Sequence, residues 1–194
     1  MVERNSALRG ERIHGRFGSD SENPGVTIQE IKDFSCLEVT LWDRTGDQLG
    51  SRLDELLGLG ALPQASRVVR LGGGLLLRPA DAALLYLGDA GPADILAATI
   101  TAGEGVTLDR SHGYCYLRLG GPCAADLLRR GVRFDLRDAA FPVLSATVTD
   151  IGGLEILLLR PDARYYDLLV PRSRAVTFWR WLSRRAGQFG YEVV

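Results

Sequence analysis

The chain has 194 residues, a formal net charge of −1 and 46% hydrophobic residues, enough for one large domain or two small ones around a sizeable core. The near-neutral balance excludes a strong overall field toward nucleic acid or an anionic membrane. No apolar run approaches the roughly 20 residues of a membrane span, and the polar start MVERNSALRGERIHGRFGSDSENPG has no secretory-signal core, so a cytoplasmic location is expected.

Residues 1–24 read as an extended N-terminal arm. Gly, Ser, Asn, Asp and Pro are dense there, and Val2, Leu8, Ile13 and Phe17 are isolated among them. Such a segment cannot bury enough surface to fold by itself, so the arm is expected to order only on a partner or to remain a tail. Its deletion is therefore expected to leave the fold intact. From residue 25 the pattern becomes periodic, with strands expected at Val26–Ile31 and Cys36–Trp42. Asp47 reads as a helix N-cap. The helix that follows carries Leu49, Leu53, Leu56 and Leu57 on one face and stops at Gly58. Strands are expected at Arg67–Leu71, Leu75–Arg78 and Ala83–Leu87. A helix entered at Pro92 then presents Ile95, Ala98 and Thr99.

The second half repeats that order. A strand at Tyr114–Leu119 leads through Gly121-Pro122 into a short helix ending near Gly131, on which at least one of Leu127 and Leu128 is expected in the core. Strands follow at Leu144–Thr149, Leu154–Leu159 and Tyr166–Val170. The last helix, over 174–186 with Ser173 as its cap, places Ala175, Phe178, Trp179, Leu182 and Ala186 on one face; a short strand at Tyr191–Val194 closes the chain. Each half thus reads strand, helix, three strands, helix. The fold class is α+β with a duplicated unit: one domain over 25–194, in two pseudo-repeat halves of about 25–103 and 106–194, joined by a glycine-bearing link at 102–109.

No cluster of residues assembles a convincing catalytic, cofactor or metal site. Cys36, Cys115 and Cys123 match no zinc spacing and read as small buried hydrophobes. Gly72-Gly73-Gly74 joins two strands rather than a strand and a helix, which makes it a hairpin turn and not a phosphate loop. Asp109, Ser111 and His112 are near one another in sequence, but neighbours in extended chain point to opposite faces, so a turn is expected rather than a nucleophile with its base. Asp54 and Glu55 diverge on a helix, and Asp135 and Asp138 flank Arg137 in what reads as a turn with local ion pairing. His14 is expected to be solvated. On the last helix, Arg180, Arg184 and Arg185 lie beside Trp181, the pairing of aromatic and arginine that interface hot spots use.

Several ordered segments carry a family resemblance: Pro24-Gly25-Val26-Thr27, Asp109-Arg110-Ser111-His112-Gly113, and Leu117-Arg118-Leu119-Gly120-Gly121-Pro122 with Ala125, Leu127 and Leu128. Phe134-Asp135-Leu136, Phe141-Pro142, Tyr166-Asp167-Leu168, Val170-Pro171-Arg172-Ser173 and Trp179 with Trp181-Leu182 complete the set. Together they resemble the gamma subunit of heterotetrameric sarcosine oxidase. The chain departs at Gly131-Val132-Arg133, where relatives carry a Gly-Cys-Pro-like run.

The resemblance implies a fold similar to the folate-binding domain of aminomethyltransferases. It also implies a complex in which this chain is a non-catalytic structural subunit. The expected partners are alpha, beta and delta subunits, which would carry FAD, FMN, NAD, tetrahydrofolate and zinc and oxidatively demethylate sarcosine or a related N-methyl amine. Ile13, Phe17, Trp181 and Arg184 are the expected interface residues. The alternatives are a folate-binding, aminomethyltransferase-like enzyme and a free-standing adaptor domain.

Overall fold

The computed structural model describes residues 5–19, 22–42, 46–80 and 83–194. In chain order the strands and helices are β1 (Gly15–Phe17), β2 (Val26–Ile31), β3 (Ser35–Leu41), α1 (Gly46–Leu57), β4 (Val68–Leu71), β5 (Gly74–Ala80), β6 (Ala83–Gly88) and α2 (Ala90–Thr99). They continue with β7 (Gly105–Asp109), β8 (Tyr114–Gly120), α3 (Ala124–Leu128), β9 (Ser145–Ile151), β10 (Leu154–Asp162), β11 (Tyr165–Pro171), α4 (Ala175–Ala186) and β12 (Tyr191–Val193). The strands form two sheets, one ordered β1-β12-β2-β8-β11-β10-β9 and the other β4-β5-β6-β3-β7.

The expected duplication is visible in this order. β3-α1-β4-β5-β6-α2 and β8-α3-β9-β10-β11-α4 are the same succession, and the strand orders β4-β5-β6-β3 and β9-β10-β11-β8 are the same path. Each succession is preceded by a strand that pairs in the other sheet: β2 comes before β3 but pairs with β8, and β7 comes before β8 but pairs with β3. Compact packing therefore divides the chain into one unit of residues 1–32 and 113–194 and another of 33–112. The expected link at 102–109 is largely strand β7, whose exposed Val106 and Leu108 gave no inward-facing stripe to read.

In the unit of residues 1–32 and 113–194, α3 and α4 cover one face of the seven-stranded sheet. Their Leu127, Leu128, Phe178 and Leu182 pack with Ile28, Leu117, Leu119, Leu168 and Val170. Both Leu127 and Leu128 are fully buried, and the five apolar positions expected on α4 are all buried. Ser173 is not a cap: residues Arg172–Arg174 make a turn of 3-10 helix, and no side chain caps α4.

The arm differs most from expectation. Leu8 is fully buried in this core, and the Ser6 hydroxyl lies 2.7 Å from both oxygens of the buried Glu30 carboxylate. Arg12 stands 3.6 Å from the same carboxylate, Glu11 accepts from Arg180 of α4, and β1 pairs with β12. The arm thus orders on its own chain, because a single deep leucine and a buried carboxylate anchor it. Composition averages over such single anchors. Val2 lies outside the described residues.

In the unit of residues 33–112, Leu49 and Leu53 of α1 pack against Val39, Leu76, Leu84 and Tyr86, while Leu56 is exposed. Gly58, at φ +64°, closes the helix by donating to Asp54 O. The side chain of Asp47, the expected N-cap, lies outside the described residues. On α2 the buried face is Ala93 and Leu96 rather than the expected Ile95, Ala98 and Thr99. The helix is small and apolar nearly all round, so periodicity alone does not fix its phase, and the bulk of Leu96 decides it.

Candidate functional site

The most buried polar group lies on the sheet face opposite α3 and α4. Residues alternate along β8 and β11, so Leu117, Leu119 and Leu168 face the helices while Tyr116, Arg118 and Asp167 face away. Arg118 and Asp167 are direct cross-strand partners. The guanidinium donates from Nε to Oδ1 at 2.8 Å and from Nη2 to Oδ2 at 2.9 Å, and the Tyr116 hydroxyl donates to Oδ2 at 2.5 Å. Arg118 also stacks on the Tyr165 ring at 3.9 Å. Burial pushes the Tyr116 phenol well up, helped by the Asp167 charge. Burial opposes the Arg118 charge, but the hydrogen bonds and charge of Asp167 overcome it and raise that group. Arg118 and Tyr116 thus both converge on the one Asp167 carboxylate. Such a group pins two strands; removing one partner would cost about 3–5 kcal/mol.

The Asp109–Ser111–His112 cluster is a turn. Ser111 Oγ accepts the Cys36 N–H at 2.9 Å, and an Asp109 carboxylate oxygen accepts the Ser111 N–H at 2.8 Å. Gly72 and Gly73 form the turn between β4 and β5. Cys36 and Cys115 are buried thiols and Cys123 is half-buried. Burial, then the nearby Glu30 carboxylate, pushes the Cys115 thiol up to about 12, which leaves it inert at neutral pH. Of the expected ion pairs around Arg137, that with Asp135 forms at 2.6 Å; Asp138 turns instead to Arg160.

The four expected interface residues occupy three settings. Ile13 is 66% exposed. Phe17, on β1, stacks on Tyr191 at 5.3 Å and leans on the core. Arg184 is exposed on the last turn of α4. Trp181 is half-buried on α4, stacked on Phe178 at 5.7 Å, and fits a slot made by two glycines. A Cβ at Gly131 would stand 2.6 Å from the indole, and one at Gly152 would stand 2.7 Å away. Trp181 forms the floor of an open groove with Arg130, Arg133 and Arg185 around it and Asp150 as its acid. These three arginines make no ion pair among the described residues. The sequence pointed to Trp181 and Arg185 through helical spacing. Arg130 and Arg133 reach the groove through the turn after α3, which no periodicity signals.

A second concavity, about 610 Å³, opens beside the start of α3. Arg129, Arg137, Arg160 and Arg164 line it, with Asp138 and Tyr166. Of the expected interface residues, only Trp181 lies at either concavity. Among the described residues no group of three or more His, Cys, Asp and Glu side chains is placed to hold a metal.

No protein-family model matches the chain, and no curated protein matches it. Among solved structures, the fold resembles that of a chain in the heterotetrameric sarcosine oxidase of Corynebacterium sp. U-96, solved in complex with pyrrole 2-carboxylate. The TM-score is 0.76 and the identity 22%, over 89% of this chain and 88% of that one. It also resembles aminomethyltransferase T of the glycine cleavage system from Bartonella henselae, with a TM-score of 0.63 and 16% identity. That match covers 89% of this chain and 48% of the other, so this chain spans about half the length of the aminomethyltransferase. At these identities the likeness is one of fold: α+β, of the aminomethyltransferase kind. No helix among the described residues is long and apolar enough to cross a membrane.

Proposed function

We propose that this chain is a non-catalytic structural subunit of a sarcosine-oxidase-like heterotetramer, in the position of the gamma subunit. The observation that carries this reading is near-complete mutual coverage with one chain of an enzyme that is itself heterotetrameric. The match covers 89% of this chain and 88% of that one, which supports a counterpart of that chain. The ordered sequence motifs support the same position. The complex would act on sarcosine or a related N-methyl amine in the cytoplasm. FAD, FMN, NAD, tetrahydrofolate and zinc would reside on the alpha, beta and delta chains. On this reading the work of the chain is packing, and the Trp181 groove with its unpaired arginines is its contact surface, joined by Ile13, Phe17 and Arg184.

Co-expression with candidate flavoprotein chains tests the assignment. Co-elution with two or more of them in fixed ratio is expected, and a stable monomer beside an intact flavoprotein complex would refute it. Within that assembly Trp181→Ala should weaken association by about 2 kcal/mol, a hot-spot magnitude. Full assembly of that variant, with native circular dichroism, would remove the groove from the interface without removing the assignment.

The likeness to aminomethyltransferase T favours one second reading, a folate-binding enzyme. Calorimetric titration of the chain with tetrahydrofolate separates the two: saturable binding supports the enzyme, and no heat at millimolar ligand eliminates it.

A further inference from the structure

We propose that the arginine-lined cavity beside α3 is a binding site for a small organic anion, a molecule with one carboxylate or phosphate on a short apolar body. The inference goes beyond the subunit assignment and does not depend on it.

Arg160 is the centre of the argument. Its side chain is only 7% exposed, near the end of β10 where the pairing with β11 is irregular between Leu159 and Asp162, yet its counter-ion is the Asp138 carboxylate, which is 88% exposed. A guanidinium has five N–H donors. Here one nitrogen, Nη1, donates to Phe141 O at 2.7 Å and meets Asp138 Oδ1 at 2.7 Å. The buried Nε has no acceptor among the described residues. A buried cation that is under-supplied with acceptors is costly unless something else neutralises it. Its acid is a solvated side chain, and ion pairs with so exposed a partner contribute little and break readily.

The rim points the same way. Arg129, Arg137 and Arg164 line the cavity, but the acids that pair with them, Asp126, Asp135 and Asp162, do not. Four arginines and a single carboxylate thus face the space, so its interior is cationic although the neighbourhood is balanced. Leu136 and Tyr166 are largely buried and supply apolar wall, with the Tyr166 ring 5.5 Å from the Arg160 guanidinium. An oxyanion would replace the Asp138 carboxylate on Arg160, as a charge-assisted pair, while its apolar body lies against that wall. Asp138 is the internal competitor for the site.

Calorimetric titration of the full chain with inorganic phosphate and with benzoate tests this, and the two probes separate a phosphate site from a carboxylate site. Binding of one or both probes is expected. Asp138→Asn should bind the preferred probe about tenfold more tightly, because the competitor is gone. Arg160→Met should bind it at least about tenfold more weakly. Arg164→Gln, a change at an exposed residue that leaves the core untouched, should weaken binding about threefold and keeps the test valid if Arg160→Met does not fold. Arg130→Gln, in the other groove, should leave the affinity unchanged. Failure of both probes to bind wild type and Asp138→Asn at millimolar concentration would overturn the proposal. So would an Asp138→Asn variant that binds no more tightly than wild type.

Discussion

Leu8→Ala is the sharpest test of how the arm is held. Leu8 sits in a tight turn where the N–H groups of Glu11 and Arg12 both donate to its carbonyl, and its side chain is fully buried in the core beneath α4. Loss of a fully buried leucine side chain costs about 2–5 kcal/mol, depending on how far the site collapses. The turn is at the surface and can settle inward, so about 2–3 kcal/mol is expected here. Deleting residues 1–20 should cost more. It removes Leu8, strand β1, and both Ser6 and Arg12 from Glu30, a carboxylate that is only 9% exposed. A buried charge stripped of its partners costs about 3–5 kcal/mol. The two losses share one turn and will not simply add. Urea titration of wild type, Leu8→Ala and the deletion variant, followed by tryptophan fluorescence, gives the differences from the midpoints at a common slope. An unchanged midpoint for the deletion would refute the packing of the arm and restore the expectation, drawn from composition, of a dispensable tail.

Gly152→Ala should destabilise by about 1–3 kcal/mol, because the new Cβ meets the Trp181 indole and the residue sits at φ +65°; a red-shifted tryptophan emission is the accompanying sign. Native-state alkylation at pH 8 should label Cys123 first and Cys115 last, since Cys123 is half-buried while the Cys115 thiol is pushed up to about 12; mass spectrometry reads the order, and early Cys115 labelling would contradict its burial. Glu104 is held at about 2 by hydrogen bonds from Arg52 and Thr101. A depressed folded-state value stabilises above the ordinary carboxylate pKa, and that stability is lost as pH falls toward 2. Glu104→Gln should therefore flatten the acid limb of a melting-temperature profile between about pH 4.5 and 2, and an identical limb would count against the Arg52 pairing.

What was legible in the sequence were the elements whose side chains alternate or recur with high contrast. The stripe Ala175, Phe178, Trp179, Leu182 and Ala186 stands against arginines and so fixes the phase of α4. The order strand, helix, three strands, helix emerged for the same reason, and with it the duplicated α+β fold. α2 offered no such contrast, and its phase was misread. The exchange of β2 and β7 between sheets was not legible either, because strand pairing is a property of distant partners. The site residues divide along the same line. Trp181 is marked by its helix, whereas the partnership of Arg160 with Asp138 spans 22 positions and a turn, and only the folded chain brings the two together. Local pairs such as Asp135 with Arg137 are visible at a spacing of two; the pair that crosses a cavity is not.

The arginines separate the two concavities by their partners. Around the cavity, Arg129, Arg137 and Arg164 each have an acid two or three positions away, so their orientation is fixed locally and their charge is largely compensated. They add a cationic lining without a long-range field, an arrangement suited to a small anion that must enter and find one under-supplied guanidinium. Around the Trp181 groove, Arg130, Arg133 and Arg185 form no ion pair among the described residues, and the single carboxylate of Asp150 leaves the lining net cationic. Uncompensated charge around a half-buried indole suits a large acidic surface, for which steering and a central aromatic anchor matter more than a fitted pocket. Assembly through the groove should therefore weaken steeply with salt. Anion binding at Arg160, where the cation is shielded from solvent, should weaken less. The two proposals can then be told apart in one protein by ionic strength alone.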